Sequence, residues 1–385
     1  MTPFKDMIEV YLVREWMLGI IVFQAVMVLC IFLFLMAQKF RIERLEIRKK
    51  LLEKQYSVGI CRYLDTANNQ PAGIARPQGS ISYEALTEAA NNLLAVRDET
   101  AKERIRSLLD VFGVVDYYKR MAKSSSWLKR FYAVERLGLL GMAGLKDYFI
   151  DVLRRDGSFS VRIRALWALS LVADEEALRI ITKALAAEIS VSSKFNEYLY
   201  TNIIISFQRR GRISSIQPFL DELLDNATIP SALKRDVIEA CGSTGIREAS
   251  RHVVEFFSRF ASMPEMKITC IRAAGRISDS KGCQSQLLVG PEAGLEELIA
   301  SGLVDEDWRV RAVSAGSIHI GQEQVIGILR KLLYDPVFYV RRNAGRALTR
   351  LGGKGLAVLT EEAASGDKFV RDNVKFVLAV EGARK

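Results

Sequence analysis

The sequence predicts an all-α protein, an α-α superhelix built from paired helices and preceded by one transmembrane helix. Three observations predict this class. The 21-residue run from Met17 to Ala37 contains no charged residue. From Ser82 onward the apolar residues follow helical spacing, and no segment alternates convincingly with period two. A short motif also recurs at intervals of just over thirty residues through the last two thirds of the chain.

Composition excludes several other classes. The 385 residues are 49% hydrophobic and include only 8 Pro, which excludes a mainly disordered or collagen-like chain. Two His and 5 Cys argue against a His-rich metal centre and against a disulfide framework. The 55 Lys and Arg exceed the 45 Asp and Glu, giving a net charge of +10.

The apolar run, residues 17–37, predicts a membrane anchor. A helix of this length spans about 31 Å, which matches a hydrocarbon core of ~30 Å. A cleaved signal peptide is the alternative, but its apolar core is usually about 7–15 residues and follows a basic start. Here residues 1–16 carry more acidic than basic side chains. We therefore expect a retained transmembrane helix.

The flanks of this run predict its orientation. Seven basic residues lie between Lys39 and Lys54, and the positive-inside rule keeps such a flank in the cytoplasm. The sequence thus predicts a single-pass protein of the plasma (inner) membrane, with residues 1–16 outside and the C-terminal part cytoplasmic. Residues 38–64 form a basic juxtamembrane helix, which either contacts anionic lipid or simply continues the anchor.

Residues 65–80 collect Pro, Gly and Asn and contain few apolar residues. This composition predicts a flexible linker between the membrane stalk and the folded part. Residues 81–109 are helical but lack the recurring motif, as expected of an N-terminal cap. Residues 110–385 are expected to form about eight repeats.

The recurring motif is an apolar residue followed by a basic residue, with small or apolar residues four, seven and eight positions after the first. Copies begin at 161, 308, 340 and 370, and looser copies begin at 129, 233 and 266. A degenerate copy lies in the longest gap, and an insertion lies at 280–290. An amphipathic helix precedes each copy, for example Val325–Leu333. No such pair covers its own apolar face, so stacking of pairs is required.

The D…VR…A…AL pattern from Asp110 to Val380 resembles the HEAT-repeat (armadillo-like) family, and its bacterial HEAT-like subgroup in particular. The resemblance implies an α-solenoid. It says little about activity, because HEAT proteins are mostly scaffolds and adaptors and fold alone does not carry function.

Two groups of basic residues are candidate sites. The basic position of the motif predicts a ladder, which we interpret as structural, with each cation paired to an Asp of its own or the neighbouring turn. Its members are Arg162, Lys234, Lys267 and Arg309. The second group makes the last repeats distinctly basic and is the candidate partner-binding patch. It comprises Arg341, Arg342, Arg346, Arg350, Lys354, Arg371 and Lys375.

No catalytic, cofactor-binding or metal-binding residue is predicted. His252 is followed by Val and His319 by Ile, so neither begins the His-Glu pair on which HEAT-repeat deoxyhypusine hydroxylases depend. The P-loop, the dinucleotide glycine fingerprint and the Gly-x-Ser-x-Gly elbow are absent from the sequence. Trp308, at the apolar position of its motif, is expected to pack in the core.

The sequence therefore predicts a non-catalytic scaffold that binds unidentified protein partners at the membrane, for example in a secretion, polysaccharide-synthesis or signalling complex. The alternative is a membrane-associated binder of nucleic acid or another anionic ligand that uses the basic C-terminal repeats. The modest net charge disfavours nucleic acid. An enzyme of the HEAT-like group is a third, weaker possibility.

Overall fold

The computed structural model describes residues 3–66, 73–172, 174–187, 191–279, 293–319 and 323–382. Within these ranges the regular structure is entirely helical, which confirms the all-α prediction. The chain divides into two units, Met1–Arg136 and Leu137–Lys385. The insertion expected at 280–290 lies outside the described residues.

The first unit begins with one continuous helix, α1 (Pro3–Asp65). Among the described helices this is the one that is long and apolar enough to cross a membrane, judged by length and composition. None of its most apolar window is buried, and side chains such as Phe23 and Phe34 are exposed. The expected membrane run and basic juxtamembrane segment are therefore parts of the same helix.

Four further helices belong wholly or mostly to the first unit. They are α2 (Ser80–Val96), α3 (Glu99–Val111), α4 (Val114–Met121) and α5 (Trp127–Leu139). The core of this unit lies where α1 packs against α2. Tyr56, Ile60 and Tyr63 of α1 are buried together with Ala and Leu side chains of α2. The last third of α1 is thus part of the folded unit.

The segment expected to be a flexible linker has a different role. Its residues 67–72 lie outside the described chain, but Ile74 reaches back so closely that a Cβ on Gly59 would lie 3.1 Å from it. Pro77 is also buried. The described part of the segment therefore packs against α1 instead of separating it from α2. The Pro and Gly content of this segment is that of a flexible spacer. Composition could not predict the packing, because the contact is with residues distant in sequence.

Arg104 of α3 holds the end of α1. Its Nη1 donates to the carbonyl oxygen of Leu64, and its Nη2 donates to those of Tyr63 and Thr66, all at 2.8 Å. The last carbonyls of a helix lack partners within the helix. The guanidinium supplies those partners and also lies over the Tyr63 ring, 4.9 Å from its centroid.

The second unit contains alternating first and second helices. The first helices are α6 (Lys146–Arg155), α8 (Glu175–Ala187), α10 (Gln217–Asp225), α12 (Ser250–Arg259), α14 (Ala293–Gly302), α16 (Glu323–Leu332) and α18 (Gly353–Glu362). The second helices are α7 (Phe159–Ser170), α9 (Ser193–Arg209), α11 (Ser231–Thr244), α13 (Pro264–Asp279), α15 (Trp308–Ser317), α17 (Phe338–Arg350) and α19 (Lys368–Gly382).

These helices stack in two layers. Each second helix packs against the second helix of the next repeat, from α7 and α9 through to α17 and α19. First helices also contact one another, as α12 and α14 do. The motif residues Val161, Val340 and Val370 are fully or almost fully buried between these layers. This arrangement is that of a helical repeat stack, in which neighbouring repeats share one core.

Small residues allow the second helices to approach closely. A Cβ on Gly242 of α11 would lie 2.6 Å from the Cα of Ala273 in α13. A Cβ on Gly275 would likewise lie 2.8 Å from the Cβ of Ser317 in α15. Each glycine lies nine residues after the start of its motif copy, so this position, one beyond the small residues of the motif, forms the seam between neighbouring repeats.

Candidate partner-binding surface

Three arginines occupy the same place in the last three repeats. In Arg311, Arg341 and Arg371 the Nη1 atom donates to a main-chain carbonyl six residues earlier, at 2.9, 2.8 and 2.9 Å respectively. The acceptors are Asp305, Asp335 and Ser365. These carbonyls lie in the turns between paired helices, where they have no helical partner. The arginines therefore close each turn onto the second helix that follows it.

The aspartates of these turns join neighbouring repeats. The Oδ2 atom of Asp335 accepts from Arg311 Nε at 2.8 Å, and its Oδ1 accepts from the Val337 amide at 2.8 Å. One repeat earlier, Asp305 Oδ2 lies 2.6 Å from Lys267 Nζ. Only 4% of the Asp335 side chain and 12% of the Asp305 side chain are exposed. Both aspartates are thus held in largely buried ion pairs across a repeat boundary.

The structure shifts the motif that starts at 308 by two residues. Val310 is the fully buried residue equivalent to Val340, and Arg311 makes the equivalent contacts. Arg309, which the sequence placed in the ladder, is exposed and pairs with Asp307 and Glu265, each at 2.7 Å. The sequence offers two basic residues two positions apart, and burial of the preceding valine decides between them.

The other expected ladder residues have mixed surroundings. Lys234 is buried; its Nζ lies 3.3 Å from the Leu224 carbonyl oxygen and 5.6 Å from the centre of the Phe260 ring. Burial, followed by the nearby Arg259, lowers the pKa of Lys234. The Nε atom of Arg162 is buried without a hydrogen-bond partner in the described residues. Neither cation therefore shows the Asp pairing found at Lys267.

The candidate basic patch is only partly directed to solvent. Arg341 and Arg371 belong to the turn contacts described above. Arg350 reaches from α17 to α15, where its Nη2 donates to the Gly316 carbonyl oxygen at 2.9 Å. Lys354 and Lys375 are exposed, and neither forms an ion pair with a described residue. Arg342 and Arg346 are half-buried on the same helix face.

Beside this patch lies a feature absent from the sequence-based expectations, a row of exposed aromatic side chains at the starts of α15, α17 and α19. We call it the aromatic row; it consists of Trp308, Phe338, Tyr339 and Phe369. These side chains are 40%, 48%, 59% and 68% exposed. The expectation that Trp308 packs in the core is therefore wrong.

Three members of the aromatic row contact one another, and Arg341 links them to the fourth, Phe369. The Trp308 and Tyr339 rings stack with centroids 6.1 Å apart, and Tyr339 meets Phe338 edge-on at 5.8 Å. The Arg341 guanidinium lies 6.0 Å from the Phe338 centroid and 5.5 Å from that of Phe369. Because Arg341 is fixed by its turn, it joins the aromatics of two neighbouring repeats into one surface.

A sequence signal for this row exists. In each of these three repeats an aromatic residue immediately or almost immediately precedes the buried valine of the motif. Phe159 precedes Val161 in the same way and is also 48% exposed. The signal was missed because the shifted register placed Trp308 at the buried position.

Within the described residues, no group of three or more His, Cys, Asp or Glu side chains is arranged to hold a metal ion. His252 is fully buried, and its Nε2 lies 2.9 Å from Asp221 Oδ1. His319 Nδ1 lies 3.9 Å from Asp279 Oδ1, and burial lowers the pKa of His319. The two imidazoles lie on different repeats, so they form no common centre.

Comparison with known proteins adds little beyond this geometry. No family model matches the chain, and no curated protein matches it. Solved structures that it resembles include an engineered protein (17% identity, TM-score 0.37, 87% of this chain and 95% of that one). Human deoxyhypusine hydroxylase matches at 16% identity and TM-score 0.23, over 79% of this chain and 99% of that one. Kap121p matches at 11% identity and TM-score 0.36, over 86% of this chain and 45% of that one. At such low identities and TM-scores, the repeat stack rests on the packing described above.

Proposed function

We propose that this chain is a membrane-anchored, non-catalytic scaffold with HEAT-like repeats that bind a partner protein in the cytoplasm. The aromatic row carries the proposal. Exposed large apolar side chains are ordinary when scattered, but a contiguous group indicates an interaction site. Tyr, Trp, Phe and Arg are the residues enriched at protein interfaces, and Trp, Tyr and Arg dominate binding hot spots. The row combines these residue types on three consecutive repeats.

The alternative of nucleic-acid binding is less well supported. Phosphate binding depends on cations directed towards the ligand. Three of the seven patch residues, Arg341, Arg350 and Arg371, instead donate to main-chain carbonyls of the protein. The remaining cations are better suited to steering an acidic partner towards the aromatic row, because complementary charge raises association rates more than affinity.

The apolar part of α1 supplies the membrane location in this proposal. A tether converts partner binding into an event confined to the bilayer surface, where the effective concentration of the partner is raised. The seven basic residues that follow the apolar run favour a cytoplasmic repeat stack by the positive-inside rule. Resistance to carbonate extraction would test membrane insertion. Protease access to the C-terminus only after the membrane is opened would test the orientation.

Site-specific photocrosslinking tests the binding surface. A photoreactive phenylalanine analogue at position 339 or 369 of the full chain, in native membranes, should crosslink to the same protein partner. The matched control is position 159, an aromatic at the start of α7 that is 48% exposed, as Phe338 of the row is. Crosslinking to nucleic acid, or equal crosslinking from position 159, would contradict the proposal. Loss of the crosslink in a Trp308→Ala variant would show that the row acts as one surface.

A further inference from the structure

The turn between α4 and α5 presents a second exposed surface, in the first unit. Trp127 and Leu128, at the start of α5, are 51% and 59% exposed. Arg120, Lys123 and Lys129 flank them, and all three are exposed. None of these cations pairs with an acidic side chain in the described part of the chain. An exposed Trp and Leu among unpaired cations is the combination found where proteins meet the headgroups of a bilayer.

The position of this turn follows from how α2 lies along α1. Lys49 Nζ of α1 is 3.8 Å from Glu84 Oε2, and Asn92 Nδ2 donates to Glu53 Oε1 at 3.0 Å. The residue numbers rise together along both helices, so α1 and α2 are parallel. By these pairs the start of α2 lies level with residues 41–45 of α1.

Helix α5 runs alongside α2 in the same direction. Arg136 Nη1 donates to Glu88 Oε2 at 2.7 Å. Burial raises the pKa of Tyr132, one turn earlier on α5, and the Glu84 carboxylate, one turn earlier on α2, adds to the rise. Trp127 therefore lies level with the start of α2, at the end of the first unit that is nearer the apolar run.

The apolar run ends at Ala37, so the turn lies about 6–12 Å further along the helix axis at 1.5 Å per residue. The headgroup layer on each side of a bilayer is about 5–7 Å thick. The ordinary tilt of a transmembrane helix, about 20°, brings one side of the unit closer still. The side chains of Trp127 and its flanking cations are long enough to close the remaining distance.

We infer that the α4–α5 turn rests on the membrane surface, with Trp127 and Leu128 among the headgroups and the three cations on anionic phospholipid. The inference rests on the membrane anchor of the proposed function. It assigns the first unit a second membrane contact, separate from the basic flank of α1. Such a contact would fix the first unit against the bilayer, because rotation about the axis of a tilted α1 would lift the turn from the lipid.

The test uses the full chain in lipid nanodiscs that contain a phospholipid spin-labelled at its headgroup. The quenched fraction of tryptophan fluorescence should fall when Trp127 is replaced by Phe. It should rise in a Trp308→Phe control, because that change removes a fluorophore that the headgroup label does not quench. Trp16, beside the apolar run, is present in both variants and does not affect the comparison. The nanodiscs contain the anionic lipid phosphatidylglycerol. Its replacement by zwitterionic phosphatidylcholine should reduce the quenching of Trp127.

A charge variant provides the second readout. Each cation near an anionic surface strengthens binding to that surface by about fivefold. Replacement of Arg120, Lys123 and Lys129 by Gln should therefore abolish most of the quenching of Trp127. A triple Gln variant of exposed cations in the second unit has the same net charge and should retain it; we suggest Arg154, Lys183 and Lys331.

The outcomes separate this inference from the anchor itself. A chain that carbonate releases from membranes would overturn both proposals. A chain that stays inserted while Trp127 is quenched no more than Trp308 would overturn only the contact of the turn. Equal loss of quenching in both triple variants would also overturn it, because the effect would then depend on net charge and not on the turn.

Discussion

Replacement of Gly242 by Ala tests the packing of the repeat stack directly. The new Cβ would lie 2.6 Å from the Cα of Ala273 and 2.8 Å from its Cβ. The first of these atoms is main chain in the middle of α13, so no side-chain rotation relieves the contact and the two helices must separate. Inserting a methyl group into a well-packed core costs about 1–3 kcal/mol. Alanine returns up to ~1 kcal/mol through its higher helix propensity. The expected net loss is about 1–2 kcal/mol.

The matched control is Gly327→Ala on the exposed side of α16. A Cβ there meets nothing within 4 Å, so only the gain in helix propensity remains, about 0.5–1 kcal/mol. The two substitutions are chemically identical and are expected to have opposite signs. Urea unfolding of the full chain in detergent, followed by hydrogen exchange of the α11 and α13 peptides, measures both. Equal or greater protection in the Gly242→Ala variant would refute close packing at this seam.

Three further predictions follow from named contacts. Arg104→Met should destabilise the first unit by about 1.5–3 kcal/mol, because the end of α1 loses its charged hydrogen-bond donor. Faster hydrogen exchange in residues 60–66 would show this loss of stability, whereas unchanged exchange would rule out a capping role. Arg311→Met should cost about 3–5 kcal/mol in unfolding free energy by leaving the buried Asp335 carboxylate unpaired, and an Asp335→Asn change in the same chain should recover part of that loss in a double-mutant cycle. Burial raises the pKa of the Cys241 thiol to about 12. Iodoacetamide at pH 8 should therefore modify the half-buried Cys61 well before Cys241, which peptide mass mapping would measure. Equal modification rates would mean that the core opens freely.

Much of the fold could be predicted from periodicity alone. The helix expected at Val325–Leu333 is observed as Glu323–Leu332, and others agree to within a few residues. These helices are amphipathic, so their spacing records which face is buried. The structure adds that second helices of neighbouring repeats approach closely at Gly242 and Gly275, one position beyond the small residues of the motif.

The errors arose where the decisive contact is distant in sequence. Local composition made 65–80 look like a free spacer, whereas Ile74 packs against Gly59 of α1. The motif at 308 fitted two registers, and only burial of Val310 between helices selects one. The aromatic row is likewise visible only when consecutive repeats are placed side by side, because its members are about thirty residues apart.

Continuity of α1 has a consequence for how the proposed scaffold works. A flexible spacer would let the folded part sample many heights above the bilayer, and its effective concentration would then depend on linker length. Here one helix runs from Pro3 to Asp65, and its contact with α2 is already made at Lys49. The first unit is therefore held at one height above the end of the apolar run, about 18 Å along the helix from Ala37 to Lys49. Inserting four residues between these positions would raise the unit by about one helical turn and rotate it only slightly. The contact of the α4–α5 turn with lipid should then be lost while insertion of α1 is retained, which separates a rigid support from a simple tether.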